Sequence, residues 1–247
     1  MRFGTSCSEI KKDGTMRTRT SLTVAALSCA FVYATVQAAV MIDDFTDVDV
    51  NPQIVGPLSS GNANDTDTGL TGAIGGQRRL DLTINGSTFS QDSDLRVDTA
   101  PVQGVAILNN GSGNDSTGKI TWDGGGSLGG VDLTEAGGND RINVAVLFAD
   151  LNLALTVDLT DGGGDVATVA KLTGALTGLE DFRFNDFLAN NAAIDLTDIN
   201  KVELTFDGPA AQDATIRFIE ATIGIPEPAA VSLLTIGLAG LMRRRRA

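Results

Sequence analysis

The sequence predicts an all-β protein: an antiparallel β-sandwich of jelly-roll type, preceded by an N-terminal signal helix and followed by a C-terminal hydrophobic helix. Three observations carry this fold class. Apolar residues in the middle of the chain recur at period two or in short runs, not at helical spacing. Asn85-Gly86, Asp123-Gly124, Asp161-Gly162 and Asp207-Gly208 sit between or beside such runs, where turn backbones require the positive φ that Gly and Asn tolerate. No Pro-rich or Ser-rich linker divides the region, so about ten such runs share one core.

The N-terminal helix is a secretory signal. Residues Met16 to Ala39 begin with Arg17 and Arg19 and continue through an uncharged apolar run, Leu22 to Val36. Val36-Gln37-Ala38 then supplies small residues for cleavage, marked by Ala38 and Ala39. The run is shorter than the roughly 20 apolar residues of a membrane span. Residues 1–15 are polar and patternless, which makes Met16 the expected initiator. A lipoprotein signal at Cys29, after Ala26-Leu27-Ser28, is the weaker alternative, because leucine occupies a position that favours a small side chain.

Strands are expected at Val40 to Phe45, Arg79 to Ile84, Val102 to Leu108, Gly118 to Trp122, Arg141 to Phe148, Ala154 to Leu159, Val166 to Leu172, Phe182 to Phe187, Lys201 to Phe206 and Ala214 to Ile223. Asn62 to Gly69 and Asn109 to Gly118 read as exposed loops. In the final strand the alternation places Ile216 and Phe218 inward. Ile219 and Ile223 fall on the opposite face, as if both sides were covered. Asp-Leu-Thr recurs at Asp81, Asp132, Asp158 and Asp195 without a fixed period, a recurring strand-to-turn phrase that is no solenoid repeat. The opening Ile42-Asp43-Asp44-Phe45 is similar to the first strand of many carbohydrate-binding jelly rolls.

The C-terminal segment 226–247 has three parts in order: Pro226-Glu227-Pro228, an apolar stretch from Ala229 to Met242, and Arg243-Arg244-Arg245-Arg246. Each central leucine or isoleucine favours insertion by about 0.5 kcal/mol, whereas an arginine at mid-bilayer costs about 2.5–3.5 kcal/mol, so the arginines stay cytoplasmic. A helix over 229–242 spans only ~21 Å of a roughly 30 Å hydrocarbon core, a marginal anchor suited to a temporary tether. This arrangement resembles the PEP-CTERM sorting signal. The resemblance implies an exosortase as partner, a membrane transpeptidase that recognises the motif, cleaves near it and passes the protein outward in a bacterium that makes exopolysaccharide. The chain then divides into an upstream segment and signal peptide (1–39), an acidic sandwich domain (40–225) and the sorting signal.

From Val40 to Ile225 there are 28 Asp and Glu against 9 Lys and Arg, a net charge of −19. Such a field repels phosphate backbones and anionic lipid, which argues against nucleic-acid binding and leaves membrane contact to the C-terminal segment before processing. Both cysteines, Cys7 and Cys29, precede the mature region, and histidine is absent, so thiolate chemistry, disulfides and His-based catalysis are excluded there.

Candidate sites in the middle are few. Asp65 and Asp67, two residues apart, have a spacing that lets both carboxylates reach one calcium ion, and Asp47, Asp49 and Asn51 show the same local spacing; an Asx-rich turn is the favoured account of both. Trp122, the single tryptophan, is a candidate sugar-stacking surface or a core residue. Acidic residues are too numerous for any pair to stand out as a glycosidase couple. The expected function is therefore non-enzymatic: an exported structural or adhesive component of the cell surface or extracellular matrix, linked to exopolysaccharide. A carbohydrate-binding module, stabilised by calcium, is the alternative.

Overall fold

The computed structural model describes residues 39–47, 53–87, 91–98, 104–174 and 177–224. Contacts group the chain into Met1–Val36 and Gln37–Ala247, and every described residue lies in the second unit. The expected signal helix, up to residue 38, and the apolar segment 229–242 fall outside the described residues, among which no helix is long and apolar enough to cross a membrane.

Thirteen strands are described: β1 (Val40–Asp43), β2 (Gln53–Leu58), β3 (Asn62–Thr68), β4 (Gln77–Ser87), β5 (Ser93–Asp98), β6 (Val105–Asn109), β7 (Asn114–Trp122), β8 (Arg141–Ala149), β9 (Leu153–Asp161), β10 (Val166–Thr173), β11 (Gly178–Arg183), β12 (Ile199–Asp207) and β13 (Ala214–Thr222). The one α-helix among the described residues, α1 (Phe184–Asn190), follows β11 directly, and a single 3-10 turn spans Ile74–Gly76. All described strand pairs are antiparallel.

One sheet runs β11-β8-β13-β6-β5-β2, with β1 also on β13; the other runs β10-β9-β12-β7-β4-β3. Consecutive strands pair only at β3–β4, β5–β6 and β9–β10, and most other connections cross between the sheets in the manner of a jelly roll. The core is the space between the inner faces. Leu153, Leu155, Val157 and Leu159 alternate inward along β9, as do Val202, Leu204 and Phe206 along β12. They face Ile142 and Val144 of β8 and Leu95 and Val97 of β5, all buried. Each such side chain contributes about 1.5–3 kcal/mol on leaving water.

Several expectations are corrected here. Asn62 to Gly69 is not a loop: β3 occupies it as an edge strand paired with β4 from Asn62↔Thr83 to Thr68↔Gln77. Its Asn-Asp-Thr composition suits an edge strand, whose outer side chains meet water. Asn109 to Gly118 is mostly strand too, since β7 begins at Asn114. β2 and β5 were not expected.

The strand expected over Phe182 to Phe187 changes type at Arg183. Phe182 and Phe184 are spaced for a strand and Phe184 and Phe187 for a helix, and all three are buried. Asn85-Gly86 lies inside β4, where the register with β7 shifts between Ile84 and Gly86. In β13, shifts between Thr215, Ile216 and Phe218 change the phase, so Ile216 and Ile219 both point inward. Phe218 is half-buried and Ile223 exposed, so the second covering layer expected for that strand is not there.

Candidate functional site

Trp122 lies on the inner face of β7 in phase with Ile120, and no part of it reaches solvent. Its indole Nε1 donates to Asp43 Oδ2 at 2.7 Å. Asp43 also accepts from Arg78 Nη1, at 2.9 Å on Oδ2 and 3.1 Å on Oδ1, and from Phe45 N at 2.8 Å. Arg78 Nε in turn donates to Gln53 Oε1 at 3.0 Å, and its guanidinium lies 5.5 Å from the Phe45 ring centroid. This network joins β1 and β2 of one sheet to β4 and β7 of the other.

Burial pushes the Asp43 carboxyl up, against Arg78 and the Trp122 and Phe45 N–H groups. Trp122 is thus a core residue with a paired N–H. A stacking role is ruled out because no indole face is accessible. Ile42-Asp43-Asp44-Phe45 has the same structural use: the register shift after Met41 and the positive φ of Phe45 (55°) turn Ile42, Asp43 and Phe45 all inward.

Asp65 and Asp67 stand on β3, on the same side of an edge strand, opposite Leu80 and Arg78. Asp65 is exposed and Asp67 half-buried, and their Oδ1 atoms accept the N–H of Thr66 (3.0 Å) and Thr68 (2.9 Å). No set of three acidic side chains among the described residues is placed to share one metal ion. Asp47 is buried and accepts from Thr71 N (2.5 Å), Thr71 Oγ1 (2.8 Å) and Gly72 N (2.8 Å); Asp49 and Asn51 lie outside the described residues. Ala39 is exposed immediately before β1. Ala38, Pro226, Glu227, Pro228 and Arg243 to Arg246 also lie outside the described residues.

One concave feature is one the sequence did not single out. A cleft of about 450 Å³ lies between the 132–140 loop, the end of β11 and α1, with Asn139, Arg183, Phe184, Asn185, Leu188 and Leu196 among its lining residues. Two Asp-Leu-Thr phrases build its wall. Asp132 Oδ1 accepts from Thr134 N (2.8 Å) and Oγ1 (2.6 Å), and Asp195 Oδ1 accepts from Thr197 N (2.9 Å) and Oγ1 (2.7 Å). Such local bonds hold a turn with little help from packing. Leu133 N donates to Leu196 O at 3.1 Å, joining the two turns, and Phe184 N donates to Asp140 O at 2.9 Å, joining α1 to the loop. The recurring phrase was the sequence signal for this wall; its other two copies lie within β4 and β9.

Charge concentrates at the cleft. Asp181 accepts from Lys171 Nζ (3.0 Å), Arg141 Nη1 (3.2 Å) and Arg183 Nε (3.2 Å). Burial raises its carboxyl, but the Lys171 and Arg183 hydrogen bonds, with the charges of Lys171 and Arg141, outweigh it and hold the group low. Asp140, bonded by Arg141 Nε (2.7 Å) and Nη2 (3.1 Å), is held low chiefly by that pairing. Arg141 is therefore fully engaged as a structural cation. Arg183 is different: its side chain is 63% exposed and only Nε is bonded to Asp181, so the outer guanidinium edge faces the cleft's solvent. Three of the nine cations of residues 40–225 meet here, paired with Asp140 and Asp181, so charges of both signs gather beside the cleft.

No protein family matches the sequence, and no curated protein matches it. Among solved structures, the chain is similar to the family 11 carbohydrate-binding module of a cellulosomal cellulase of Clostridium thermocellum: 10% identity, 77% of this chain and 98% of that one, TM-score 0.39. It is also similar to the family 30 carbohydrate-binding module of another cellulosomal cellulase of that organism: 13% identity, 70% and 99% of the two chains, TM-score 0.36. The structure of PfGH50B matches at 12% identity over 60% of this chain and 23% of that one, TM-score 0.37.

Proposed function

We propose that this chain is an exported, non-catalytic β-sandwich that binds neutral polysaccharide and serves as a structural or adhesive component associated with exopolysaccharide. The cleft beside α1 carries the proposal. It has the size of a small-ligand site, with exposed apolar surface from Leu188, a floor of the buried Phe184 and Leu196, and a few hydrogen-bonding groups from Arg183, Asn185 and Thr134. A sugar offers the matching chemistry, an apolar C–H face and a rim of hydroxyls that a guanidinium edge and an amide can bond. The net −19 charge of the domain disfavours polyanionic glycans, so a neutral polymer is the better fit.

Delivery follows from the two ends of the chain. The signal at 16–39 directs export, and the Pro226-Glu227-Pro228 motif with its apolar stretch and arginines directs exosortase processing, leaving the protein at the cell surface or outside the cell.

Affinity electrophoresis through gels containing neutral polysaccharides tests the binding. Retardation is expected with at least one polymer, and Arg183→Ala is expected to weaken it about tenfold, the worth of one charge-assisted hydrogen bond. Unretarded migration in every gel, the exopolysaccharide of the producing cells included, would refute it. A scaffold without a ligand is the second reading, favoured by the scarcity of exposed aromatics: Phe148 is the exposed one among the described residues.

A further inference from the structure

At the end of the sandwich where β5, β6 and β7 meet the turn before β13, the core becomes polar. Ser93, Asn110, Asn114, Ser116 and Gln212 are all at least 95% buried there. The inner face of β7 shows the change, since Asn114 and Ser116 occupy the positions that Ile120 and Trp122 hold further along. Yet Asn114 Oδ1, Gln212 Oε1 and Asn110 Nδ2 are sealed from solvent and have no hydrogen-bond partner, as does Asp94 Oδ1 nearby. Buried polar atoms without partners are rare in folded proteins, and a concentration at one place calls for something to satisfy them.

The amide orientations identify the missing chemistry. Asn114 Nδ2 donates to Gln91 O and to Ser93 Oγ at 3.1 Å, and Gln212 Nε2 donates to Asp213 O at 3.0 Å, so in both residues the unsatisfied atom is an oxygen. Asn110 bonds Ser116 Oγ through Oδ1. A hydroxyl donates or accepts equally well, so turning that amide over keeps the bond through Nδ2 and frees a third oxygen.

Around these oxygens the charge is negative. Asp213 Oδ1 accepts Asn110 N at 2.8 Å, and Asp213 N donates to Asp150 Oδ1 at 2.8 Å. Burial, then the charges of Asp150 and Asp94, push the Asp213 carboxyl up. Arg96 is the nearby cation, but it approaches Asp94 only to 3.9 Å and its own Nε is unbonded.

We infer that this buried polar cluster holds a hard cation, calcium by its donor set, bound by the amide oxygens of Asn110, Asn114 and Gln212 together with the Asp213 carboxylate. Calcium takes carboxylate, Asn and Gln oxygens in flexible geometry, and soft metals do not suit an oxygen-only set. A water molecule is the competing occupant. It donates only two hydrogen bonds, and it does nothing to offset three neighbouring carboxylates. The location differs from Asp65 and Asp67, which lie on the edge strand β3.

The test uses the full chain, stripped with EDTA and then titrated with calcium or magnesium, with melting followed through Trp122 fluorescence and bound metal measured by elemental analysis. Calcium is expected to bind at one ion per chain and, at a hundredfold excess over Kd, to raise the melting temperature by about 5–10 °C, with magnesium less effective. The shift should disappear in Gln212→Met with Asp213→Asn and persist in Asp65→Ala with Asp67→Ala. Should the first variant fail to fold, the wild-type stoichiometry and melting shift decide the matter alone. A wild type with no bound calcium and no shift, meaning a buried water only, overturns the inference, as does a shift lost in the Asp65/Asp67 variant.

Discussion

Replacing Arg78 by methionine keeps an unbranched apolar stem in the core but removes the cation that faces Asp43. Both partners of this pair are almost fully buried, at 2% and 0% side-chain exposure, and they bridge the two sheets from β4 to β1. Trp122 Nε1 and Phe45 N still donate to the stranded carboxylate. Its electrostatic cost is capped, because the group can take up a proton instead. From an ordinary carboxyl near 3.9, that cap is about 4 kcal/mol at pH 7 and about 1.5 kcal/mol at pH 5.

The value at pH 7 lies within the 3–5 kcal/mol typical of breaking one side of a buried pair. For a domain of this size it corresponds to a fall in melting temperature of about 8–16 °C. The sign follows from linkage. Burial already holds the folded Asp43 carboxyl above its unfolded value and loss of Arg78 raises it further, so the added deficit is small below the unfolded pKa and grows as pH rises through the folded one. Urea denaturation at pH 5 and pH 7 measures it, with the single tryptophan as reporter, since Trp122 bonds the affected carboxylate. A deficit below about 1 kcal/mol at pH 7, or an equal deficit at both pH values, would show that no ion pair operates between the sheets.

Trp122→Phe is expected to cost about 2–4 kcal/mol through lost volume and the lost bond to Asp43, read by calorimetric melting, while leaving polysaccharide retardation unchanged because the residue has no surface. Glu227→Ala is expected to hold the precursor at the inner membrane in cell fractionation; if the variant reached the medium as before, the sorting role of Pro226-Glu227-Pro228 would fail.

The β class was legible because period-two burial leaves a direct mark: β9 reads apolar-polar through Leu153, Leu155, Val157 and Leu159, and its turn at Asp161-Gly162 follows as expected. β3 was not legible, because an edge strand is held by backbone bonds to β4, which any residue can make, and its side chains are those of a loop. The phase change in β13 was equally hidden, since a bulge adds a residue without altering composition. For the candidate cleft the sequence showed the Asp-Leu-Thr phrase but not that the copies at Asp132 and Asp195 meet, nor that Arg183 and α1 close over them.

The sequence by itself determined what depends on local pattern and summed charge: the strand alternation, the acidic field, and the absence of histidine and cysteine from residues 40–225. Tertiary structure alone decided which polar residues are buried and what they face. Trp122, Asp43 and Arg78 become one bonded core group, and Asn110, Asn114 and Gln212 become buried polar residues at one end of the sandwich, only when strands distant in the chain are packed against each other. The physical reason is that desolvation and hydrogen-bond satisfaction are properties of a neighbourhood, and a chain that crosses between sheets at most of its turns assembles each neighbourhood from segments its own order keeps apart.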